Sequence, residues 1–235
     1  MFFSILLSGG IGTRMHLERP KQYLEMGGRS ILSYSAEALF QSEQIQAIQV
    51  VADSQWHGYI LQQIKALNGL PKFSGFSAPG RNRQESIFNA LQDYALQVRE
   101  NDAVLIHDAV RPFLSLNLIN RCIEAFEGHD GVLPVLTMRD TVYMSKDGKR
   151  VSTLLQREEI FAGQAPELFA YGKYYRANQR LFPNNILKIS GSTEPAILAG
   201  MDIVMIPGDE MNFKVTTNAD LIRFQEILAN RGRCR

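Results

Sequence analysis

Short apolar runs alternate with helical periodicity along almost the whole chain, and that rhythm constrains the fold most. Residues Phe2–Leu7, 47–52 (AIQVVA), 103–106 (AVLI), 131–136 and 203–206 read as strands, with 72–77 a shorter candidate. Between them apolar residues recur at helical spacing: Ile31, Leu32, Ser35, Ala36, Leu39 and Phe40, then Trp56, Tyr59, Ile60, Ile64 and Leu67 with Ser54 as their cap. Ile87, Ala90, Leu91, Tyr94 and Ala95 continue the pattern, as do residues 116–126, 171–181, 193–198 and 218–229. The strands are continuously apolar, as in a parallel sheet buried on both faces, and a parallel strand needs a crossover helix to reach the next. Right-handed βαβ units then give a doubly wound, three-layer α/β/α fold with a largely parallel sheet.

One stretch breaks the rhythm. Residues 140–159 read as strand, turn and strand, with Asp147-Gly148 as the hairpin signal, and such a hairpin is expected to project from the sheet. The length of 235 residues allows one large α/β domain or two small ones; without a linker or repeat, one domain spanning 1–235 is favoured. A net charge of +1 excludes a chain-wide basic footprint for nucleic acid. No run approaches a membrane span, and the apolar start lacks the charged region and length of a signal peptide. Cys122 and Cys234 make no disulfide framework and read as free thiols, so a cytoplasmic protein is expected.

Three loops carry candidate chemistry. After the first strand comes Ser8-Gly9-Gly10-Ile11-Gly12-Thr13-Arg14, followed by Pro20-Lys21-Gln22. Glycines there let backbone N–H groups approach an anion, and Arg14 with Lys21 would suit a triphosphate; the alternative is a glycine turn with two solvated cations. Neither GxGxxG nor GxxxxGK[ST] fits. His107-Asp108-Ala109-Val110-Arg111 follows another strand. Asp108 there is a candidate Mg²⁺ ligand or half of a structural Asp–Arg pair, and His107 reads as an ordinary packed histidine. Gly80, Arg83 and Ser86 open a helix, either as a second anion or base-recognition site or as a plain capped start. Thr141, Arg157 and Lys214 join the set only if they face the same cleft. The 163–167 segment reads as a turn without chemistry, and no zinc or serine-nucleophile motif is present.

Taken in order, GGxGxRM…PKQ, PGxxRxxS, HDxxRPF, RDT, an arginine before a Gln-x-Pro turn and a late NxKVT resemble the 2-C-methyl-D-erythritol 4-phosphate cytidylyltransferase family, which includes ribitol-5-phosphate cytidylyltransferases. The likeness runs from Phe3 to about Phe224. It implies a Rossmann-like three-layer α/β/α nucleotidyltransferase domain whose protruding β-hairpin arm, residues 140–159, serves homodimerisation. It implies transfer of CMP from CTP to a polyol phosphate, with Mg²⁺ and release of pyrophosphate. By resemblance, Arg14, Lys21, Arg157 and Lys214 are the catalytic cations. Gly9, Gly10 and Gly12 form the phosphate loop. Gly80, Arg83 and Ser86 recognise cytidine, and Asp108 lies near the metal with Arg111 beside it. Thr141, Arg157 and Lys214 hold the polyol phosphate, and the arm could carry Thr141 and Arg157 to the partner subunit's site.

The departures are local. Ser8 replaces a usual Ala, Ala165 a Thr and Glu167 a Gln, and Ser190-Gly191-Ser192-Thr193-Glu194 replaces an Asp-rich stretch. Glu194 is a candidate stand-in for the lost acid. Methylerythritol phosphate is the expected acceptor; ribitol 5-phosphate is the alternative, and a nucleotide-binding protein without turnover the reading of another class.

Overall fold

The computed structural model describes residues 1–10 and 19–233, the side chains of the last three excepted. Arg14 and Gly12 therefore lie outside the described residues. In chain order the elements are β1 (Phe2–Leu7), a small hairpin of β2 (Glu25–Met26) and β3 (Arg29–Ser30), α1 (Ile31–Gln41), β4 (Ile45–Val51), α2 (His57–Ala66), β5 (Phe73–Ser77), α3 (Arg83–Asp93) and β6 (Ala103–Asp108). Then come α4 (Leu116–Glu124), β7 (Gly131–Thr137), β8 (Val142–Met144), β9 (Thr153–Leu155), β10 (Phe161–Gly163), β11 (Glu167–Ala170), α5 (Tyr171–Leu181), α6 (Glu194–Leu198), β12 (Ile203–Pro207) and α7 (Asn218–Arg233).

The main sheet runs β10-β7-β11-β6-β1-β4-β5, with β12 on the far edge of β7. The pairs β1–β4, β1–β6, β4–β5 and β7–β12 are parallel, so the carboxyl ends of β1, β4, β5 and β6 share one edge. Side-chain alternation divides the core. Phe3, Ile5, Val104 and Ile106 pack with Ile87 and Leu91 of α3 and Tyr174 of α5. Leu6, Leu105 and Val50 pack with Leu39 of α1, Ile64 of α2 and Leu118 of α4. Helices on both faces of a sheet make the three-layer α/β/α sandwich. Local signals fix the helix starts: Ser30, Asn82 and Ser115 each accept a backbone N–H three residues on, capping α1, α3 and α4.

Three expectations need correction. The sheet is mixed, because β10 and β11 run antiparallel and β11 inserts between β6 and β7. The 163–167 turn is thus the entry to a buried strand, too short to show a period of its own. The cap before α2 is Asp53, whose carboxylate accepts the Gln55 N–H at 3.0 Å, and not Ser54. Asp108 is the last residue of β6, not the first after it. In the 140–159 stretch, β8 and β9 form a two-stranded sheet of their own, with Tyr143, Met144, Val151 and Leu154 exposed. No described helix is long and apolar enough to cross a membrane.

Candidate active site

The carboxyl edge of β1, β4, β5 and β6 opens into a cleft of about 620 Å³. Its walls bring together Gly9, Gly10, Lys21, Gly80, Arg83, Ser86, Asp108 and Lys214. Trp56 also faces it, from the turn after β4. Two glycines are required by close approach. A Cβ on Gly9 would lie 2.8 Å from the Pro79 Cβ, and one on Gly80 would lie 2.6 Å from Glu85 Cβ. The loop after β1 therefore reaches Pro79 only because Gly9 lacks a side chain, and the loop after β5 folds back onto Glu85 of α3 only because Gly80 does.

Two residues of the Pro20-Lys21-Gln22-Tyr23 segment hold the first loop. The Gln22 amide nitrogen donates to the Ser8 carbonyl at 2.8 Å and the Gly10 carbonyl at 2.7 Å. Ser8 Oγ donates to the Tyr23 hydroxyl at 3.0 Å, and that hydroxyl donates to the Ser8 carbonyl at 3.1 Å. Both side chains are buried. Sequence reasoning ran through Gln22 but gave a role to Lys21 alone, and it did not reach Tyr23. The signal was available: an amide directly after the cation, in a segment with a glycine loop to satisfy. In the second loop Ser86 Oγ accepts the Gly80 N–H at 2.9 Å and donates to the Asn82 carbonyl. Ser86 thereby fixes the turn that presents Gly80.

Asp108 gathers the cations. Its Oδ1 accepts Arg83 Nε at 3.2 Å and Nη2 at 3.1 Å; its Oδ2 accepts Arg111 Nε at 3.4 Å and forms an ion pair with Lys214 Nζ at 3.0 Å. Burial works to raise its pKa, but Arg83, Lys214 and Arg111 outweigh burial and hold the carboxyl well below its usual range. Arg111 also donates to the Asn212 carbonyl at 2.9 Å, tying this cluster to the segment that carries Lys214. Next door His107 is fully buried, and burial pushes it down to about 3, so it is a neutral packed histidine.

The same geometry tests Asp108 as a metal ligand. A carboxylate offers about four lone-pair positions; three take N–H donors from Arg83 and Arg111 here, and the Lys214 ammonium lies 3.0 Å from Oδ2 as well. Among the described residues no group of three His, Cys, Asp or Glu is arranged to hold a metal. The residues present do not fit a resident ion.

The other candidates lie elsewhere. Thr141 is exposed where the arm begins, and Arg157 donates to Glu158 and to the Arg139 carbonyl at 3.0 Å each. Neither lines the cleft of this chain. Glu194 does not stand in for the missing acid: it accepts Ser190 N–H at 2.8 Å and Ser190 Oγ at 3.1 Å, outside the cleft. A buried acid beside the end of β6 is Glu167, opposite Ile106, and burial pushes it up to about 7.

Comparison with known proteins places the chain in a family. The family profile described as 2-C-methyl-D-erythritol 4-phosphate cytidylyltransferase matches residues 2–230. A curated protein of that name from Rubrobacter xylanophilus is 33% identical over 98% of this chain and 96% of its own. One from Neorickettsia sennetsu is 32% identical over 95% of each. The crystal structure of 4-diphosphocytidyl-2C-methyl-D-erythritol synthase from Anaerococcus prevotii superposes with a TM-score of 0.82, covering 97% of this chain and 96% of that one. At 23% identity it speaks for the fold. A glycine loop, a carboxylate-centred set of cations and a matching profile over nearly the full length lead to one conclusion: the chain belongs to the 2-C-methyl-D-erythritol 4-phosphate cytidylyltransferase family.

Proposed function

We propose that this protein transfers CMP from CTP to 2-C-methyl-D-erythritol 4-phosphate, giving CDP-methylerythritol and pyrophosphate, as a cytoplasmic enzyme of isoprenoid precursor synthesis. The observation that carries the reading is the cleft itself, which holds a glycine loop, Lys21, Arg83 and Lys214 within one wall system. A polyanion needs donors and cations fixed before it arrives.

A phosphate oxygen of the acceptor attacks the α-phosphorus of CTP; the new P–O bond forms as the bond to the bridging oxygen breaks, and the electron pair leaves on pyrophosphate. The nucleophile is already an anion, so the protein positions and neutralises, and removes no proton. Lys21 and Arg14 act on the α-phosphorus and the departing pyrophosphate, and the N–H groups of Gly9, Gly10 and Gly12 cradle the phosphates. Gly80, Arg83 and Ser86 take the cytidine side, while Lys214, with Asp108 and Arg111 behind it, faces the acceptor phosphate. Since Arg83, Arg111 and Lys214 already crowd Asp108, Mg²⁺ would arrive with the triphosphate and offset its charge, with Asp108 ordering the cations around it.

The single domain of 1–235 acts as a homodimer, joined by the 140–159 arm. The support is an arm that pairs only with itself and exposes four apolar side chains. In that arrangement Thr141 and Arg157 serve the acceptor site across the interface. Neither nucleic acid nor membrane is a partner. Pyrophosphate release with CTP, Mg²⁺ and methylerythritol phosphate, or ribitol 5-phosphate in its place, tests the reading. Release with the first acceptor supports it; release with only the second reassigns the acceptor, and none with either refutes turnover.

A further inference from the structure

The turn at 163–167 has no task in the reaction above, yet it grips the segment that delivers Lys214. Between β12 and α7, residues 208–217 form no helix or strand, so their backbone depends on other groups for its hydrogen bonds. Gln164 supplies them from a fixed seat. It is buried, and its own N–H donates to the Pro134 carbonyl of β7 at 2.8 Å. Its side chain then pairs with Asp209 as a neighbouring strand would: the amide nitrogen donates to the Asp209 carbonyl at 2.9 Å, and the amide oxygen accepts the Asp209 N–H at 3.0 Å. One residue on, the Ala165 carbonyl accepts the side-chain amide of the fully buried Asn212 at 2.7 Å.

From Asn212 the contacts lead into the cleft. Its N–H donates to the Asp209 carbonyl at 3.0 Å, and its own carbonyl accepts Arg111 Nη1 at 2.9 Å. The Val215 N–H donates to the Val110 carbonyl at 2.8 Å. Lys214 lies between these two fixed points, with its ammonium 3.0 Å from Asp108. A lysine ammonium is a point charge on a flexible four-carbon stem, so the backbone beneath it decides how well it is aimed.

We propose that Gln164, together with Asn212, is a positioning residue for Lys214: the 163–167 turn clamps the segment after β12 and so keeps the Lys214 ammonium beside Asp108, on the wall that takes the acceptor phosphate. The inference rests on the reading of Lys214 as the acceptor cation, and its test includes a readout that needs no turnover.

Lys214 itself supplies that readout. An ammonium held against a carboxylate is acetylated slowly, and mass spectrometry follows the rate at each lysine. Gln164→Met keeps the length of the side chain and removes both bonds to Asp209. It is expected to speed acetylation of Lys214 about two- to fivefold, the worth of a half-exposed ion pair, with the exposed Lys65 and Lys188 unchanged as references. In kinetics with CTP and methylerythritol phosphate, KM for the acceptor should rise about tenfold, the worth of one misplaced charged contact. Affinity for CTP should hold, read from the fluorescence of Trp56, the single tryptophan, which lines the cleft. Asn212→Ala should give the same split, and it decides the matter if Gln164→Met does not fold. A merely structural role would lower the melting temperature and leave Lys214 in step with the reference lysines. Unchanged Lys214 labelling in the folded variants, or equal loss of affinity for CTP and acceptor, overturns the proposal. If the unaltered protein releases no pyrophosphate with either acceptor, the assigned reaction fails, while the labelling still decides the role of Gln164.

Discussion

Replacing Asp108 by Asn separates charge from shape. The side chain keeps its volume, but an amide with two donors of its own now faces Arg83, Arg111 and Lys214. Removing one partner of a buried ion pair costs about 3–5 kcal/mol, because the remaining charge is left uncompensated. Arg83 and Lys214 are about one-third exposed, at 33% and 34%, and regain part of their hydration, whereas Arg111 at 12% does not. The lower end, about 3 kcal/mol, is therefore the expected loss. For a chain of this size it corresponds to a melting temperature roughly 6–12 °C lower. Thermal unfolding followed by circular dichroism measures it. The pH dependence has a definite sign. A carboxyl held below its unfolded pKa stabilises the folded state fully above that unfolded value, and the contribution is lost only as pH falls through the folded one. The gap between wild type and variant should thus stay constant from about pH 8 to pH 5 and close only well below pH 4. Pyrophosphate should raise the melting temperature of the variant more than that of wild type, since it supplies the missing negative charge. A gap of less than about 3 °C, or one that closes between pH 8 and 5, would refute the view of Asp108 as the hub of the cations.

Other variants probe the remaining parts. Gln22→Leu strips the Ser8 and Gly10 carbonyls of their shared donor; we expect kcat/KM for CTP to fall about 10–100-fold with a modest loss of stability, and unchanged kinetics would show that the loop sets itself. Lys21→Ala should lower turnover at least about 100-fold, as loss of one oxyanion donor does, while the melting temperature moves little; near-normal turnover contradicts its role. Arg157→Ala should raise KM for the acceptor and leave CTP affinity intact, and equal loss of both defeats the assignment. In thermal scans against pH, Glu167 and His107 oppose each other. Glu167, raised from 4.5 to about 7, costs stability as pH rises across that interval, whereas His107, lowered from 6.5 to about 3, costs stability as pH falls across its own. Wild type should be nearly level between about pH 4.5 and 6.5 from these two groups, and Glu167→Gln should uncover a slope approaching 1.4 kcal/mol per pH unit, rising with pH; a flat curve in the variant refutes it.

The strands and helices of the parallel half were legible because burial on both faces writes itself as uninterrupted apolar runs, and helix faces as 3.6-residue stripes. β11 was not, since four residues after a Gln-Ala-Pro turn carry no period and take their direction from β6 and β7. The cleft's loops were readable from their glycines, and Asp108 from its place at a strand end. What spacing could not reveal was that Asp108 binds Arg83, 25 positions earlier, and Lys214, more than a hundred later. Those partners are set by which loops the sheet order brings side by side. Gln22 escaped for a related reason: it holds the Ser8 and Gly10 carbonyls from a segment that meets their loop only in three dimensions. Thr141 and Arg157 were legible as motif positions, but their distance from the cleft depends on where the arm points.

The antiparallel insertion of β11 has a bearing on how the chain is made. During synthesis β6 emerges with one edge paired to β1, while the other waits for a partner about sixty positions downstream. Until residues 167–170 leave the ribosome, that edge presents bare N–H and C=O groups beside an apolar strand, a template for association with other chains. Nascent fragments ending before Glu167 should therefore be sticky and unable to order the end of β6. Asp108, and the cations gathered on it, can settle only after most of the polypeptide has been translated, so competence to bind nucleotide is among the last properties the molecule acquires.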